Sequence, residues 1–178
     1  MEKQKIRFII NPISGKFRKK NLAQQIEETI DKTKFDCEIT QSDYAGHAKV
    51  LAQEAVAQGF DVVAVAGGDG SINEVGTQLI GTDVALALIP CGSGNGLSHC
   101  MNIPLVASKA LKIINENHRI KIDTVTVNDI PFISIAGTGY DAKVAEDYSK
   151  DIHRGFDTYL KYVIQNLFKL EEEDYTLQ

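Results

Sequence analysis

Apolar runs alternate with helical periods along the first part of the chain. The runs occupy residues 6–10, 35–40, 61–66 and 84–89, and the last two show no polar alternation. Between them, apolar residues recur at three- and four-residue spacing, as in Leu22, Ile26 and Ile30, and helical periods return at residues 46–58 and 72–80. Uniformly apolar strands are typical of a parallel sheet buried on both faces. The pattern predicts an α/β fold, with a Rossmann-like parallel sheet covered by helices.

The spacing of these elements changes after about residue 120. Residues 121–127 and 131–136 are predicted strands, and the Asn128-Asp129-Ile130 segment between them predicts a hairpin turn. A helix with one apolar face follows, and residues 175–178 resemble the start of another strand. The apolar face of that helix comprises Leu160, Val163, Ile164, Leu167 and Phe168. We therefore predict an α/β domain over residues 1–120 and the start of a mainly β second domain over residues 121–178.

Composition excludes several classes of protein. The net charge of -5 disfavours a general nucleic-acid binder. Cys37, Cys91 and Cys100 lack the spacing of a metal site and are too few for a disulfide framework, which predicts reduced thiols. No apolar run approaches the roughly 20 residues needed to cross a bilayer, and the charged first residues do not resemble a signal peptide. We expect a cytoplasmic protein without a transmembrane segment.

The strongest chemical signal is the turn Gly67-Gly68-Asp69-Gly70, which joins a predicted buried strand to a predicted helix. Glycines let the backbone approach a ligand closely, and the first N–H groups of the helix point at an anion. A carboxylate beside phosphates is repelled unless it holds a metal or accepts a proton. The turn therefore predicts a nucleotide phosphate site in which Asp69 takes part in chemistry.

Three more loops follow predicted strands and should meet this turn at one edge of the sheet. Asn11 opens a loop over residues 11–16, although Asn-Pro and Ser-Gly also occur in ordinary turns. Thr40 ends the second strand, where its hydroxyl is placed to reach a nucleotide. His47 opens the next helix and is more commonly satisfied locally than catalytic. Ser93 lies between glycines in a second loop, over residues 90–96, that predicts a further anion cradle.

The order and spacing of five motifs resemble the diacylglycerol kinase catalytic-domain family, which includes sphingosine and other long-chain-base kinases and bacterial lipid kinases. The motifs are NPISGK at 11–16, DYAGHA at 43–48, GGDGSINEV at 67–75, PCGSGNGLS at 90–98 and FISIAGTGYDAKV at 132–144. They cover almost the whole chain. Members of the family are usually longer, with a β-sandwich second domain that binds the lipid, so the resemblance implies a truncated member.

This resemblance implies an ATP-dependent lipid kinase that uses Mg²⁺ and reaches its lipid by peripheral contact with a membrane. It implies that Asp69 is catalytic and that Asp141 binds the polar head of the substrate. The implied nucleotide contacts are Asn11, Thr40, Gly67, Gly68, Asp69, Gly70, Ser71, Ile72, Asn73 and Ser93. The lipid is a diacylglycerol or a sphingoid base, and Asn95-Gly96-Leu97 is closer to the long-chain-base branch. The sequence assigns no metal ligand and is compatible with a homo-oligomer.

The sequence is also compatible with two other functions. A soluble kinase of the NAD kinase type shares the Gly-Gly-Asp-Gly turn but is not expected to carry the Pro-x-Gly-Ser-Gly-Asn loop. A nucleotide-binding module without turnover is the other alternative, because the expected lipid-binding domain is largely missing.

Overall fold

The computed structural model describes residues 2–14, 21–151 and 155–167. The chain divides into two compact units, Met1–Ile135 and Ala136–Gln178. In order, the first unit contains β1 (Gln4–Ile10), α1 (Leu22–Thr29), β2 (Phe35–Gln41), α2 (His47–Ala57), β3 (Val62–Gly67), α3 (Asp69–Leu79), β4 (Ala85–Pro90), α4 (Gly96–Cys100), α5 (Ala107–Glu116), β5 (Val125–Val127) and β6 (Ile130–Phe132). The second unit contains α6 (Tyr140–Lys150) and α7 (Phe156–Leu167).

Strands β1 to β4 form one parallel sheet in the order β2-β1-β3-β4. From β1 the chain first adds β2 on one side and then places β3 and β4 on the other. The direction of winding therefore reverses between β1 and β3. In open α/β sheets, a crevice forms at the carboxyl ends of the strands at such a switch point. Asn11 and Gly68 follow the two strands that flank it.

Two hydrophobic cores lie on opposite faces of this sheet. Side chains alternate along β1, so that Phe8 packs with α1 and α5, whereas Ile9 packs with α2 and α3. In β3 the same alternation sends Ala64 to the first core and Val65 to the second. Because every residue of β3 is buried, this strand shows no polar alternation in the sequence. The predicted parallel sheet with helices on both faces is confirmed.

The hairpin is shorter than the sequence predicts. Strand β5 covers Val125–Val127 rather than 121–127, and β6 covers Ile130–Phe132 rather than 131–136. The turn consists of Asn128 and Asp129 alone, both with positive φ (49° and 63°), as a two-residue hairpin turn requires. Pairing ends at Phe132 because the next backbone N–H, that of Ile133, donates to the Asn73 side chain on α3 instead.

Three helices were not predicted: α4, α5 and α6. Helix α5 carries its buried side chains at positions 110, 111 and 114, the spacing of an amphipathic helix, so the signal was present in the sequence. Helix α6 buries only Val144, and a short apolar stripe of that kind gives little periodicity. In the second unit, the Tyr140 hydroxyl donates to the Val163 carbonyl at 2.5 Å, which joins α6 to α7.

The predicted apolar face of the last helix lies on α7, apart from Phe168, which falls outside the described residues. The strand predicted at 175–178 also lies outside them. None of the helices within residues 2–14, 21–151 and 155–167 combines the length and apolar character needed to span a bilayer. Cys37, Cys91 and Cys100 form no disulfide bond, and burial raises the pKa of the Cys37 thiol.

A buried arginine, Arg7, lies between the sheet and α2. Arg7 on β1 is 3% exposed and donates to the Leu51 carbonyl at 3.0 Å and to the Gln58 side chain at 2.7 Å. Its Nε lies 2.7 Å from a Glu38 carboxylate oxygen, and its guanidinium lies 4.6 Å from the centre of the Phe60 ring. Two hydrogen bonds and the nearby Glu38 carboxylate compensate for the burial of this charge.

We predict that Arg7→Ala lowers the free energy of unfolding by about 2–4 kcal/mol, because it leaves a cavity and removes the donor to the carbonyl of the buried Leu51. Urea denaturation followed by circular dichroism measures this change. The matched control is Arg119→Ala, since Arg119 is exposed and its change should stay within about 0.5 kcal/mol. Equal stabilities for the two variants would contradict the prediction.

Candidate functional site

The first wall of the candidate site is the turn from β3 into α3. Gly67 ends the strand, Gly68 is the N-cap of the helix with extended backbone, and Asp69 is the first helical residue. No side chain caps this helix. The first N–H groups of a helix have no intrahelical partner, and they lie at the positive end of its dipole. The turn thus presents donors and positive potential where an anion can approach, and Gly70 is exposed there.

The second wall is the loop from β4 into α4, residues 91–95. The Cys91 N–H donates to the Gly67 carbonyl at 2.8 Å and so continues the pairing of the two strands past their ends. Beyond this bond the two backbones touch: a Cβ added to Gly92 would lie 2.6 Å from the Gly68 Cα. No L-amino acid with a side chain fits at Gly92 without displacing backbone. The two glycine loops therefore form one continuous cradle.

Asn95 gives the second loop its shape. It is fully buried and adopts a left-handed conformation with φ 56°. Its Oδ1 accepts the Gly92 N–H and its Nδ2 donates to the Gly92 carbonyl, both at 2.8 Å. One side chain thereby closes a ring over residues 92–95 and leaves Ser93 and Gly94 exposed at the tip. In the sequence Asn95 stands out only as part of a motif, which predicts no structural role for it.

Asp69 links the first wall to the second. Its Oδ2 accepts the Asn95 N–H at 2.7 Å, and its Oδ1 accepts the Gly96 N–H at 2.6 Å. These lengths are at the short end for a hydrogen bond to a charged acceptor. The carboxylate is half-buried and holds the start of α4. Asp69 was predicted as a site residue because of its charge. Its two backbone partners leave no signal in the sequence.

Asn11 closes the side of the cradle at β1. Its backbone N–H donates to the Ala66 carbonyl at 3.0 Å, and its Nδ2 donates to the Ser71 hydroxyl at 2.7 Å. Its Oδ1 accepts the Ile13 N–H at 3.0 Å, which forms a turn over the residues that follow. Asn11 and Ser71, both predicted nucleotide contacts, thus meet at the switch point. Gly15 and Lys16 of the same motif lie outside the described residues.

Two other predicted contacts support the cradle from behind. Ile72 is fully buried in the core between the sheet, α2 and α3, and its N–H donates to the Gly68 carbonyl at 3.0 Å. The Asn73 Oδ1 accepts the Ile133 N–H at 3.1 Å and anchors the segment after β6. The Ile72 side chain and the Oδ1 of Asn73 are thus engaged inside the protein, and the nucleotide contacts of both residues stay predictions.

Thr40, Ser93 and Asp141 occupy different positions. Thr40 lies on the edge strand β2, and its hydroxyl donates to the Phe8 carbonyl at 3.2 Å. Ser93 is exposed at the tip of the second loop. Asp141 is exposed in the first turn of α6, in the second compact unit. The structure therefore brings Asn11 and residues 67–71 to the switch point. Thr40 lies on one edge strand and Ser93 follows the other, and the loop of Ser93 reaches the turn through the contact of Gly92 with Gly68.

His47 is satisfied by its neighbours, as the sequence analysis favoured. Its Nδ1 accepts the Asp43 N–H at 3.0 Å, and its ring stacks on Tyr44 with 4.6 Å between the ring centres.

A cavity of about 960 Å³ lies elsewhere in the first unit, along β4. Its lining includes Leu79, Leu86, Met101, Ile103 and Ile133, and none of the predicted nucleotide contacts. The candidate site is thus a separate, open cradle, and its exposed tip residues suit a polar ligand.

A parallel sheet with two glycine loops in contact at its switch point defines an α/β protein suited to binding phosphate groups. The chain belongs to the diacylglycerol kinase catalytic domain family, which it matches over residues 5–127. Apart from Gln4, that range contains all four strands of the parallel sheet, and it includes both glycine loops. The family resemblance inferred from the sequence motifs is confirmed.

Relatives with known names agree with this assignment. The diacylglycerol kinase of Staphylococcus carnosus is 27% identical over 163 residues, which cover 90% of this chain and 53% of the relative. A diacylglycerol kinase of Staphylococcus aureus is 31% identical over 139 residues, which cover 77% of this chain and 44% of the relative. The chain therefore spans about half the length of these relatives.

Solved structures show the same architecture. A crystal structure of a diacylglycerol kinase from Bacillus anthracis is similar with a TM-score of 0.62 and 27% identity, covering 74% of this chain and 46% of that one. A putative diacylglycerol kinase from the same organism gives a TM-score of 0.64 at 27% identity, covering 75% and 49% of the two chains.

We predict that Gly92→Ala opens the cradle, because its Cβ would be forced against the backbone of Gly68. The expected result is a free energy of unfolding lower by about 1–3 kcal/mol, as for other overpacked sites, and a loss of ATP binding measured by calorimetry. Ser108→Ala is the control, since Ser108 is exposed on α5, outside both glycine loops, and alanine suits a helix. An unchanged affinity in Gly92→Ala would show that the contact between the loops does not shape the site.

Proposed function

We propose that this chain carries the nucleotide-binding part of an ATP-dependent lipid kinase, which transfers the γ-phosphoryl group of ATP to a lipid hydroxyl. The observation that supports this function best is the backbone contact of Gly68 with Gly92, within the region that matches the family. Two glycine loops that share one cradle can surround a triphosphate with N–H donors. The named relatives are diacylglycerol kinases, which favours a lipid as the acceptor.

Phosphoryl transfer depends chiefly on positioning and on stabilisation of negative charge. The oxygen of the lipid hydroxyl forms a bond to the γ-phosphorus while the bond from that phosphorus to the bridging oxygen of ADP breaks, and the proton of the hydroxyl is released to water. The N–H groups at the start of α3 and at the tip of the second loop are the donors available for the phosphate oxygens. Ser93 would add a hydroxyl, and Asn11 would approach the nucleotide from the side of β1.

The described residues do not fit a metal site held by the protein alone. Within residues 2–14, 21–151 and 155–167, no three His, Cys, Asp or Glu side chains converge. Both oxygens of Asp69 already accept backbone N–H groups. We therefore assign no ligand to Mg²⁺ and no step to the metal. The catalytic role of Asp69 also stays a prediction.

A kinase with a lipid acceptor must meet its substrate at a membrane surface. The proposal is a cytoplasmic enzyme with peripheral contact, since diacylglycerols and sphingoid bases reside in bilayers. Residues 121–178 are proposed to begin the part of the protein that binds the lipid. The acceptor is proposed to be either of those two lipids. The relatives' names favour diacylglycerol, whereas the Asn95-Gly96-Leu97 sequence favours a long-chain base.

We expect the chain to transfer label from γ-labelled ATP to a lipid in vesicles that contain diacylglycerol or sphingosine. The assay separates labelled lipid by thin-layer chromatography and offers NAD as a third acceptor. Gly92→Ala should label no lipid, because the added Cβ forces the two loops apart, whereas Ser108→Ala should act as the wild type does.

Two results would overturn the lipid kinase assignment for this chain. ATP binding without any labelled lipid would identify a nucleotide-binding module, a function that the half-length match to the relatives makes a specific alternative. Label found in NAD alone would identify a small-molecule kinase.

Asp141 is proposed to bind the polar head of the lipid. We predict that Asp141→Asn raises the KM for sphingosine by roughly tenfold and leaves the KM for ATP unchanged, because the amide cannot pair with the cationic amine. Steady-state kinetics with each substrate varied in turn measures both constants. The control is Asp157→Asn, an exposed aspartate in the first turn of α7. A rise in the KM for ATP in Asp141→Asn would assign the residue to the nucleotide instead.

A further inference from the structure

We propose that Asp69 is a positioning residue: its carboxylate clamps residues 92–96 to α3 and, with the Asn95 side chain, fixes the second glycine loop in the shape that binds phosphate. This inference rests on the proposed function in one respect, namely that the cradle receives the phosphates of a nucleotide. It differs from the catalytic role that the family resemblance implies for Asp69.

The first argument is the way in which the carboxylate is held. Each oxygen of Asp69 accepts one backbone N–H, from Asn95 at 2.7 Å and from Gly96 at 2.6 Å. Two bonds from consecutive residues fix both the position and the plane of a carboxylate, as a fork of donors does. If this carboxylate took a proton from a substrate hydroxyl, it would lose its charge, and the two bonds from the loop would weaken.

The second argument is that the loop leaves room for the carboxylate. A Cβ added to Gly94 would lie 2.8 Å from the Asp69 Oδ2, closer than a side chain can come. The small residue at position 94 thus serves the contact with Asp69, and its backbone remains exposed at the tip of the loop. A carboxylate that acted only on a substrate would impose no such requirement on a neighbouring loop.

The third argument is that a second side chain holds the same loop from inside. Asn95 is fully buried, and its amide bonds to both the N–H and the carbonyl of Gly92. Asn95 therefore holds the start of the loop through its side chain, while Asp69 holds the end of the loop through the backbone of Asn95 and Gly96. Ser93 and Gly94 lie between these fixed points. Their N–H groups are kept in place before a ligand arrives, and such preorganised donors need no rearrangement on binding.

The clamp can be detected in the wild-type chain without any assay of activity. NMR of the isotope-labelled 178-residue chain should show scalar couplings across the hydrogen bonds from the Asn95 and Gly96 nitrogens to the Asp69 carboxylate carbon. The absence of both couplings in a folded sample would overturn the proposal.

The variant Asp69→Asn tests what the clamp does. Its amide keeps one acceptor but turns an N–H₂ group toward a backbone N–H, so one bond is lost. We expect hydrogen exchange at Asn95 and Gly96 to become about tenfold faster or more, and the Kd for ATP to rise by roughly tenfold to a hundredfold. Asp83→Asn, at an exposed position in the loop before β4, is the control and should change neither.

Asn95→Asp provides a second test, because it replaces the donor to the Gly92 carbonyl with a repelling oxygen. It should also weaken ATP binding, whereas Asn102→Asp should not, although Asn102 has the same left-handed backbone with φ 55° and is exposed. Circular dichroism checks that each variant is folded. If a variant does not fold, the scalar couplings measured in the wild-type chain decide whether the clamp exists.

The outcomes separate this proposal from the proposed function. If Asp69→Asn abolishes phosphoryl transfer while exchange at Asn95 and Gly96 and the Kd for ATP stay unchanged, Asp69 is a catalytic residue and the clamp is wrong. If the chain transfers no phosphoryl group to any lipid, but Asp69→Asn still speeds exchange and weakens ATP binding, the clamp stands and the lipid kinase assignment fails. A pH–rate profile that keeps its acidic limb in Asp69→Asn, at saturating ATP, supports the positioning role.

Discussion

The contact between the backbones of Gly68 and Gly92 is the constraint on which the candidate site depends. The two backbones are so close that no Cβ fits at Gly92. They come this close because the two loops follow neighbouring parallel strands, and because the Cys91 N–H extends the pairing of those strands by one more bond. The sheet therefore fixes the distance between the loops, and the loops in turn set the width of the cradle. Nothing in this arrangement requires a ligand to be present, so the cradle exists before binding.

The order of the strands decides which loops can take part. Because the winding reverses between β1 and β3, the loops after these two strands diverge to opposite faces and leave a crevice between them. Asn11 and Gly68 border that crevice, while Thr40 lies on the edge strand and bonds to the neighbouring strand. Asn11 and Thr40 are both predicted nucleotide contacts, but the order of the strands places only Asn11 beside the crevice.

The parts of the fold that could be predicted from the sequence are those in which the local spacing of apolar side chains specifies a strand or a helix. Uniform burial of β3 and the four-residue spacing in α1 depend on local periodicity alone, which a sequence displays directly. The partners of Asp69 were not predictable, because they are backbone N–H groups 26 and 27 residues away, and backbone groups leave no mark in a sequence. The left-handed Asn95 between two glycines gave a weak signal, since asparagine is enriched in that conformation.

The buried cation on β1 also restricts how the sheet can assemble. Side chains alternate along a strand, so a slip of one residue would move Arg7 from the α2 side to the opposite face, among Ile26 and Leu111. On that face the guanidinium would take the place of Ile6 or Phe8, against side chains with no acceptor to offer. The incorrect alignment therefore costs far more free energy than it would if residue 7 were uncharged. In this way Arg7 selects the register that carries Asn11 to the cradle.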